Sequence, residues 1–173
     1  MAQFLDFEAW VKENEHLLVP PVSNKVIFES NDYIVMAVGG PNSRTDFHVN
    51  TTDEWFYQVK GTAIVTILDP ADNKFKKLTL DAGKMAVVPA NVPHNPVRHK
   101  DSLGIVVERK RGPEVIDEMR WYCSKCEKLT YKEEFLCKDI AADLKAIIER
   151  VVADESLLTC KSCGTLNYAH YRG

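Results

Sequence analysis

The sequence lacks a long hydrophobic run, a strong excess of either charge and a basic leader. No apolar stretch among its 173 residues approaches the roughly 20 residues that a membrane-spanning helix needs. Lysine and arginine number 22 against 25 aspartates and glutamates, so no basic field is present to attract nucleic acid. The first residues, MAQFLDFEAWVKENEHLL, carry acids where a secretory signal is basic. We therefore expect a cytoplasmic protein that binds neither nucleic acid nor membranes.

The stretch from Lys25 to Glu108 contains no long helical segment and no internal repeat. Turn sequences such as SND, GGPN, DPADN and DAG separate short β-rich runs. These runs are VIF, YIVMAV, WFYQV, AIVTIL, KLTL, MAVV and GIVVE. Closely spaced strands favour an antiparallel sandwich or barrel, and the missing helices argue against a parallel βαβ sheet. We expect the aromatic residues Trp55, Phe56 and Tyr57 to lie in the core.

Helical patterns flank this β region. Residues 7–18 are amphipathic and are followed by Pro20-Pro21, which would end a helix. Residues 139–152, DIAADLKAIIERVV, predict a second helix between two Cys-x-x-Cys pairs. We predict an N-terminal helix with a β-barrel over residues 1–112, and a metal-bound extension over residues 113–173 that packs on the barrel.

Two histidines and one glutamate form the first candidate metal site. His48 and Glu54 precede the strand WFYQV, and a second hairpin would bring His94 opposite them. Two imidazoles and a carboxylate leave about three adjacent positions open on octahedral iron, a set that suits Fe(II) and oxygen. Single histidines and glutamates near strand ends are more often solvated surface residues. The spacing alone leaves both interpretations open.

The residues around this set resemble the two motifs of the cupin family. The first is HVNTTDEWFYQVKG, from His48, and the second is GKMAVVPANVPHNPVR, from Gly83. Asn50 stands where the family has a second histidine, which removes one of four ligands and opens a coordination position. Asn91 stands where glycine is usual, and Arg98 where asparagine is usual. The resemblance implies a double-stranded β-helix, or jelly-roll, barrel.

Longer stretches are similar to the 3-hydroxyanthranilate 3,4-dioxygenase family, particularly its short bacterial and fungal form. They are NEHLLVPPVSNK, VGGPNSRTDFH, EWFYQVKG, NVPHNPVR, IVVER and RWYCSKC. The likeness implies a cytosolic, dimeric Fe(II) enzyme that cleaves the ring of 3-hydroxyanthranilate with O2. The product would be 2-amino-3-carboxymuconate semialdehyde, on the kynurenine route to quinolinate and NAD. His48, Glu54 and His94 would hold the iron, to which the amino and hydroxyl groups of the substrate would chelate.

The same resemblance suggests roles for four further residues. Arg98 matches the arginine that pairs with the substrate carboxylate; without the motif it would be a surface arginine. Arg44 matches an arginine on the oxygen side that stabilises developing negative charge; the alternative is a loop salt bridge with Asp46. Glu108, which ends GIVVE, would orient the substrate or manage a proton, or else form a rim salt bridge with Arg109 or Arg111. Asn24 matches a mobile loop that closes over the substrate, although asparagine is common in such turns for conformational reasons.

Four of the five cysteines form the second candidate metal site. Cys123-x-x-Cys126 and Cys160-x-x-Cys163 are separated by 33 residues. This gap exceeds the about 15 to 20 residues of common zinc ribbons, but it accommodates a helix. Four thiolates leave no open coordination position, so we predict a structural zinc or rubredoxin-like iron site. Cys137 is left over as a free thiol.

Two other functional classes remain open on the sequence alone. A metal-dependent cupin isomerase or epimerase would use zinc or manganese to polarise a carbonyl and would need no oxygen. A non-catalytic cupin would bind a small ligand, or would dock a partner through the four-cysteine site. Oxygen consumption with 3-hydroxyanthranilate distinguishes the dioxygenase from both.

Overall fold

A computed structural model describes residues 2–19 and 23–170, apart from the side chain of Ala141. Two short 3-10 turns, Glu15–Leu17 and Glu155–Leu158, follow the first and the last helix. The other elements are α1 (Phe7–Asn14), β1 (Asn24–Glu29), β2 (Tyr33–Gly39), β3 (Phe47–Val49), β4 (Glu54–Lys60), β5 (Thr62–Asp69), β6 (Lys74–Asp81), β7 (Met85–Val88), β8 (His94–Arg98), β9 (Leu103–Arg109), β10 (Ile116–Tyr122), β11 (Leu129–Leu136) and α2 (Ile140–Ala153). In these described ranges, no helix has both the length and the apolar character of a membrane span.

The strands form two antiparallel sheets that face each other. One sheet has five strands in the order β1-β2-β9-β4-β7, and the other has six in the order β11-β10-β3-β8-β5-β6. From β3 to β5 and again from β6 to β10 the chain passes repeatedly between the sheets, which is how a double-stranded β-helix is built. The core between them is apolar and draws on both sheets: Met36, Phe56, Ala63, Val65, Leu80, Val88, Val92 and Val106. The predicted mainly β barrel is therefore confirmed.

Strand β4 shows how alternation aims side chains into this barrel. Its burial pattern places Glu54, Phe56 and Gln58 inside, because successive side chains of a strand point to opposite faces. Trp55 and Tyr57 point outward and are 49% and 39% exposed. The expectation that all three aromatic residues lie in the core is therefore wrong for Trp55 and Tyr57. Because Trp55, Phe56 and Tyr57 are all aromatic, the sequence itself does not show which of them alternate between the inside and the outside of the barrel.

Helix α1 begins at Asp6, whose carboxylate accepts the backbone N–H of Ala9 at 3.0 Å. The helix ends at Asn14, and a 3-10 turn continues to Leu17, so the predicted segment 7–18 is helical in two pieces. Pro20 and Pro21, expected to stop it, lie outside the described residues. Leu18 is buried and packs near Gly39, so the N-terminal segment rests on the barrel at the end of β2.

Helix α2 and the last strands attach closely to the barrel. Asp139 caps the helix by accepting the N–H of Ala142 at 3.0 Å. The apolar face of α2 forms a second core with β10, which includes Met119, Trp121 and Val151. Strand β10 also pairs with β3, so a strand from the predicted extension belongs to the six-stranded sheet. The boundary between residues 112 and 113 remains a prediction.

Candidate active site

The three predicted metal ligands meet inside the barrel, although they come from both sheets. His48 on β3 and His94 on β8 are direct cross-strand partners in the six-stranded sheet. Glu54 begins β4 in the opposite sheet and points at them. Its carboxylate oxygen Oε2 lies 3.0 Å from Nε2 of His94 and 4.0 Å from Nδ1 of His48. One ligand atom of each residue lies within 4.8 Å of the other two, and all three residues are buried.

Hydrogen bonds fix which nitrogen of each imidazole faces the centre. Nδ1 of His94 donates to the backbone oxygen of Val92 at 3.0 Å, which leaves Nε2 facing Glu54. Nε2 of His48 donates to Oδ2 of Asp117 at 2.8 Å, which leaves Nδ1 turned toward the centre. Two ring nitrogens and a carboxylate thus converge in a buried site. Such a set needs a cation between its members, and its donor types are those of an Fe(II) facial triad.

The charges inside the site follow from burial and proximity. Burial opposes ionisation of Glu54, but the two histidines hold its pKa down at about 2. Burial lowers the pKa of His48 below its ordinary value despite the bond to Asp117. Burial also acts against charge on His94, yet Glu54 raises the pKa of His94 above its ordinary value. The carboxylate of Glu54 is therefore ionised, and its charge favours a cation among the three residues.

Two asparagines replace the usual residues of the motifs, and each has a visible structural role. Asn50 is 1% exposed and donates from Nδ2 to Oε2 of Glu54 at 3.2 Å. It therefore contacts the carboxylate ligand, where a second motif histidine would contact the metal. Asn91 has φ of 63°, a left-handed conformation in which asparagine is the best substitute for glycine. The tight turn at Asn91 comes just before Val92 and His94 and places both residues at the site.

A cavity of about 570 Å³ opens above these ligands. Apolar side chains of the barrel form one wall, and residues of α2 form the other, among them Leu144 and Ile148. Asn24, at the start of β1, lies on the rim of this cavity. The volume suits a small aromatic ring with polar substituents and leaves room beside it.

Two arginines face this cavity. Arg98 ends β8 and is 4% exposed, and no hydrogen-bond partner for its Nε is found within the described residues. Burial, together with the nearby charge of Arg44, lowers the pKa of Arg98 to about 10, so the group remains a cation at neutral pH. Arg44 lines the same cavity, and its Nε lies 3.4 Å from the buried carboxylate of Asp46. The cavity therefore presents two guanidinium groups to an anionic ligand.

Glu108 lies beside the ligands rather than on the cavity wall. It is 1% exposed and is the cross-strand partner of Glu54. Nη1 of Arg111 approaches its Oε2 to 2.8 Å, which is the salt bridge considered as the alternative role. Burial and the charge of Glu54 raise the pKa of Glu108 to about 8, against the effect of Arg111.

Asp117, which accepts the hydrogen bond from His48, was not predicted from the sequence. Nothing near it in the chain resembles a ligand motif.

The four predicted cysteines also converge. Cys123 and Cys163 have sulfur atoms 3.6 Å apart, and so do Cys126 and Cys160. All four sulfur atoms lie within 4.8 Å of one another. A tetrahedral ion with metal–sulfur bonds near 2.3 Å would need edges of about 3.8 Å, so the cluster fits zinc or iron. The predicted clustering at the C-terminal end of the chain is confirmed.

Two copies of one turn build this cluster. Glu127 and Gly164, each four residues after the first cysteine of its pair, have φ of 60° and 72°. Each donates its N–H to that cysteine's carbonyl at 2.8 Å. Thr165 hydrogen-bonds Cys163 and lowers the pKa of that thiol to about 6, so a thiolate is available at neutral pH. Cys137 is half-buried and lies outside the cluster, and burial raises its pKa to about 12.

Comparison with known proteins gives a family match over most of the chain. Residues 1–152 match the sequence model of the 3-hydroxyanthranilic acid dioxygenase family. A 3-hydroxyanthranilate 3,4-dioxygenase from Neurospora crassa is 46% identical over 157 residues, which cover 91% of this chain and 86% of that protein. A protein of the same name from Podospora anserina is 44% identical and covers 95% of this chain and 89% of its own length. Among solved structures, a cupin-2 domain containing protein from Shewanella frigidimarina is 26% identical, with a TM-score of 0.49 over 61% of this chain and 94% of that one.

Removing any member of the triad should empty the barrel site. We expect His48→Ala, Glu54→Ala and His94→Ala each to bind one iron fewer per chain and to lose turnover, because two remaining ligands hold Fe(II) poorly. Elemental analysis of reconstituted protein measures the loss. His16→Ala, an exposed histidine, is the matched control. Full iron in His48→Ala protein would rule out the triad.

Asn50→Ala should be milder than loss of a ligand. The substitution removes one hydrogen bond to Glu54 and no metal bond. We expect roughly 10-fold weaker Fe(II) binding, at the lower end of the effect of residues that orient ligands. Titration of the apoprotein with Fe(II) measures this change. A variant with no iron at all would make Asn50 a ligand.

Cysteine substitutions should act on stability first. We expect Cys123→Ser or Cys160→Ser to lose the second metal and to lower the melting temperature by roughly 10 °C or more, because loss of a structural metal costs several kcal/mol. Cys137→Ser is the matched control and should keep both metals. Calorimetry beside activity of the soluble fraction is the measurement. Lost specific activity at an unchanged melting temperature would instead indicate a catalytic role.

Proposed function

Since the chain belongs to the 3-hydroxyanthranilic acid dioxygenase family, we propose that its barrel site cleaves 3-hydroxyanthranilate with O2 in an Fe(II)-dependent extradiol reaction. The product is 2-amino-3-carboxymuconate semialdehyde, in which both atoms of O2 are retained. The observation that carries this proposal is the buried set of His48, Glu54 and His94, within 4.8 Å of one another below a cationic cavity. Such a set leaves adjacent positions for a chelating ring and for oxygen.

The three ligands and their hydrogen-bond partners prepare the iron site. Neutral imidazoles and an ionised Glu54 hold the ion with one protein negative charge, which keeps the site attractive to an anionic substrate. When bound, iron brings the ring and oxygen together and passes electrons between them. The apolar wall of Met36, Phe56 and Val106 would pack against the ring and exclude water.

The two arginines would orient the substrate and stabilise charge. Arg98 is a buried cation on the cavity wall, and a guanidinium fork matches the carboxylate of the ring. Arg44, held by Asp46 on the same wall, would stabilise negative charge that develops on the oxygen side. The positive charge of both groups favours the carboxylated ring over a neutral aminophenol.

Roles for Glu108 and Asn24 complete the assignment. The raised pKa of Glu108 and its place beside Glu54 support a role in taking up or releasing a proton near the substrate hydroxyl. Asn24 on the cavity rim supports a role in closing the site over the substrate.

We also infer the metabolic and cellular setting. The semialdehyde product would feed quinolinate and NAD synthesis on the kynurenine route. A cytoplasmic location agrees with cysteines that are free thiols grouped as a metal site. The four-cysteine cluster would carry a structural iron or zinc ion.

A homodimer is supported by the outer face of the five-stranded sheet. Trp55, Tyr57, Met85 and Val87 are each at least 39% exposed. The register pairs Trp55 with Val87 and Tyr57 with Met85, so the four side chains form one continuous patch. Exposed aromatic and aliphatic patches of this kind mark protein interfaces. A second copy of the chain would cover the patch.

Oxygen uptake tests the reaction itself. Freshly Fe(II)-loaded protein should consume O2 when given 3-hydroxyanthranilate, and a new ultraviolet band of the semialdehyde should grow in step. Protein loaded with zinc should do neither. Turnover that needs no oxygen, with zinc or manganese, would point instead to an isomerase.

Arg98→Ala tests recognition of the substrate carboxylate. Loss of a charge-assisted contact worth on the order of 1.5 to 3 kcal/mol should lower kcat/KM by roughly 10- to 150-fold. Arg98→Lys should recover part of this, because lysine keeps the charge without the fork. Arg109→Ala, at an exposed arginine, is the matched control.

The comparison is made on 3-hydroxyanthranilate and on 2-aminophenol, which has the chelating pair but no carboxylate. The wild type should prefer the carboxylated ring, and Arg98→Ala should lose most of that preference. If the variant kept the full wild-type preference, this role would pass to Arg44.

Trp55→Lys should shift the protein from dimer to monomer, because a charge at the centre of an apolar interface is costly to bury. Light scattering after size exclusion measures the mass directly. Leu136→Lys, at a similarly exposed position in the other sheet, should leave the mass unchanged. A wild type that is monomeric at micromolar concentration would contradict the dimer.

A further inference from the structure

Two buried charged residues on the side of the iron ligands away from the cavity have no role in the proposed reaction. Asp117, the second residue of β10, is fully buried. The side chain of Arg111, in the segment between β9 and β10, is 5% exposed. Neither residue lines the cavity, so neither is placed to contact a ligand there. Burying such groups is costly unless they are paired, and their partners identify what they do.

Asp117 holds one of the iron ligands. Its Oδ2 accepts the hydrogen bond from Nε2 of His48 at 2.8 Å. This bond fixes the orientation of the imidazole ring and directs the other nitrogen toward Glu54 and His94. A carboxylate in this position also increases the electron density on the ligating nitrogen. His48 and Asp117 lie 69 residues apart in the sequence, so only the pairing of β3 with β10 brings them together.

Arg111 connects Asp117 to Glu108 through a single guanidinium group. Its Nε and Nη2 lie 3.0 and 2.9 Å from Oδ2 of Asp117. Its Nη1 lies 2.8 Å from Oε2 of Glu108, which is the cross-strand neighbour of Glu54. The planar fork thus sets the positions of two carboxylates at once, one behind the metal and one beside it.

We infer that Arg111 and Asp117 are positioning residues that link iron retention to the placement of Glu108. This inference rests on the proposed iron site. Asp117 acts on the metal through His48, whereas Arg111 acts on the metal through Asp117 and on the reaction through Glu108. Glu108 itself acts mainly on the reaction. Substitutions of the three residues should therefore differ in their effects on Fe(II) affinity and on kcat when these two quantities are measured independently.

The experiment measures the Fe(II) dissociation constant of anaerobic apoprotein by competition with a chelator, with kcat at saturating iron measured beside it. Asp117→Asn should weaken Fe(II) binding by about 10- to 100-fold, the effect usual for partners of ligating histidines. Glu108→Gln should lower kcat with a smaller change in affinity. Arg111→Gln should do both. Arg111→Lys, which keeps the charge without the fork, should fall between Arg111→Gln and the wild type.

Matched controls and a double variant separate positioning from general stability. Glu118→Gln, next to Asp117 on β10, and Arg109→Gln, at the end of β9, should leave both quantities unchanged. The double variant Arg111→Gln/Asp117→Asn should have nearly the same Fe(II) affinity as the single variant that binds iron less tightly, because both substitutions act through one contact. Melting temperatures show whether a variant is merely less stable.

Wild-type Fe(II) affinity in Asp117→Asn and in Arg111→Lys would overturn the inference, even with a lowered melting temperature. Both substitutions preserve most of the side-chain volume, so they decide the question if Arg111→Gln does not fold. His48→Ala distinguishes failure of this inference from failure of the proposed iron site. If His48→Ala loses iron while the Asp117 and Arg111 variants keep it, the iron site stands and the inference fails. If His48→Ala also keeps full affinity, the proposed iron site itself is wrong.

Discussion

The structure depends on one electrostatic constraint, which is a carboxylate buried opposite two imidazoles. Glu54 crosses from the five-stranded sheet to His48 and His94 on the other sheet, and its oxygen lies 3.0 Å from the nitrogen of His94. An ionised carboxylate buried inside the barrel is expensive unless a cation neutralises it. A metal ion between the three residues would satisfy this requirement, while hydrogen bonds from Asn50 and to Asp117 and Val92 fix each member. Binding of such an ion would therefore stabilise this interior.

Charge is distributed unequally around that centre. On the cavity side, Arg98 and Arg44 leave positive charge facing an open space. On the opposite side, Arg111 contacts both Glu108 and Asp117 in a closed, buried group. Arginine thus lines the open cavity on one side, and on the other side it bridges two buried carboxylates. The difference lies in which carboxylates the fold places beside each guanidinium.

The C-terminal part of the chain connects the two candidate metal sites. Helix α2 packs on β10 through one face and lines the cavity with residues such as Leu144 and Ile148. The four-cysteine cluster holds the segments on either side of this helix, and Thr45, just before β3, hydrogen-bonds Ala169 beyond the cluster. A structural ion at the cysteines would therefore support one wall of the catalytic cavity.

The sequence by itself determined the features that repeat locally. Short β runs and the paired cysteines predicted the strands and the cysteine cluster observed, because alternation, turn chemistry and Cys-x-x-Cys spacing depend on neighbours in the chain. The set of His48, Glu54 and His94 was predicted from the resemblance of both motifs to the cupin family, since the spacing alone left a surface role open. Tertiary structure alone decided which aromatic residues face outward, that Asp117 supports His48, and that α2 forms a cavity wall. These contacts depend on strand register and sheet packing between residues far apart in the chain, and a one-residue shift in register reverses every side chain.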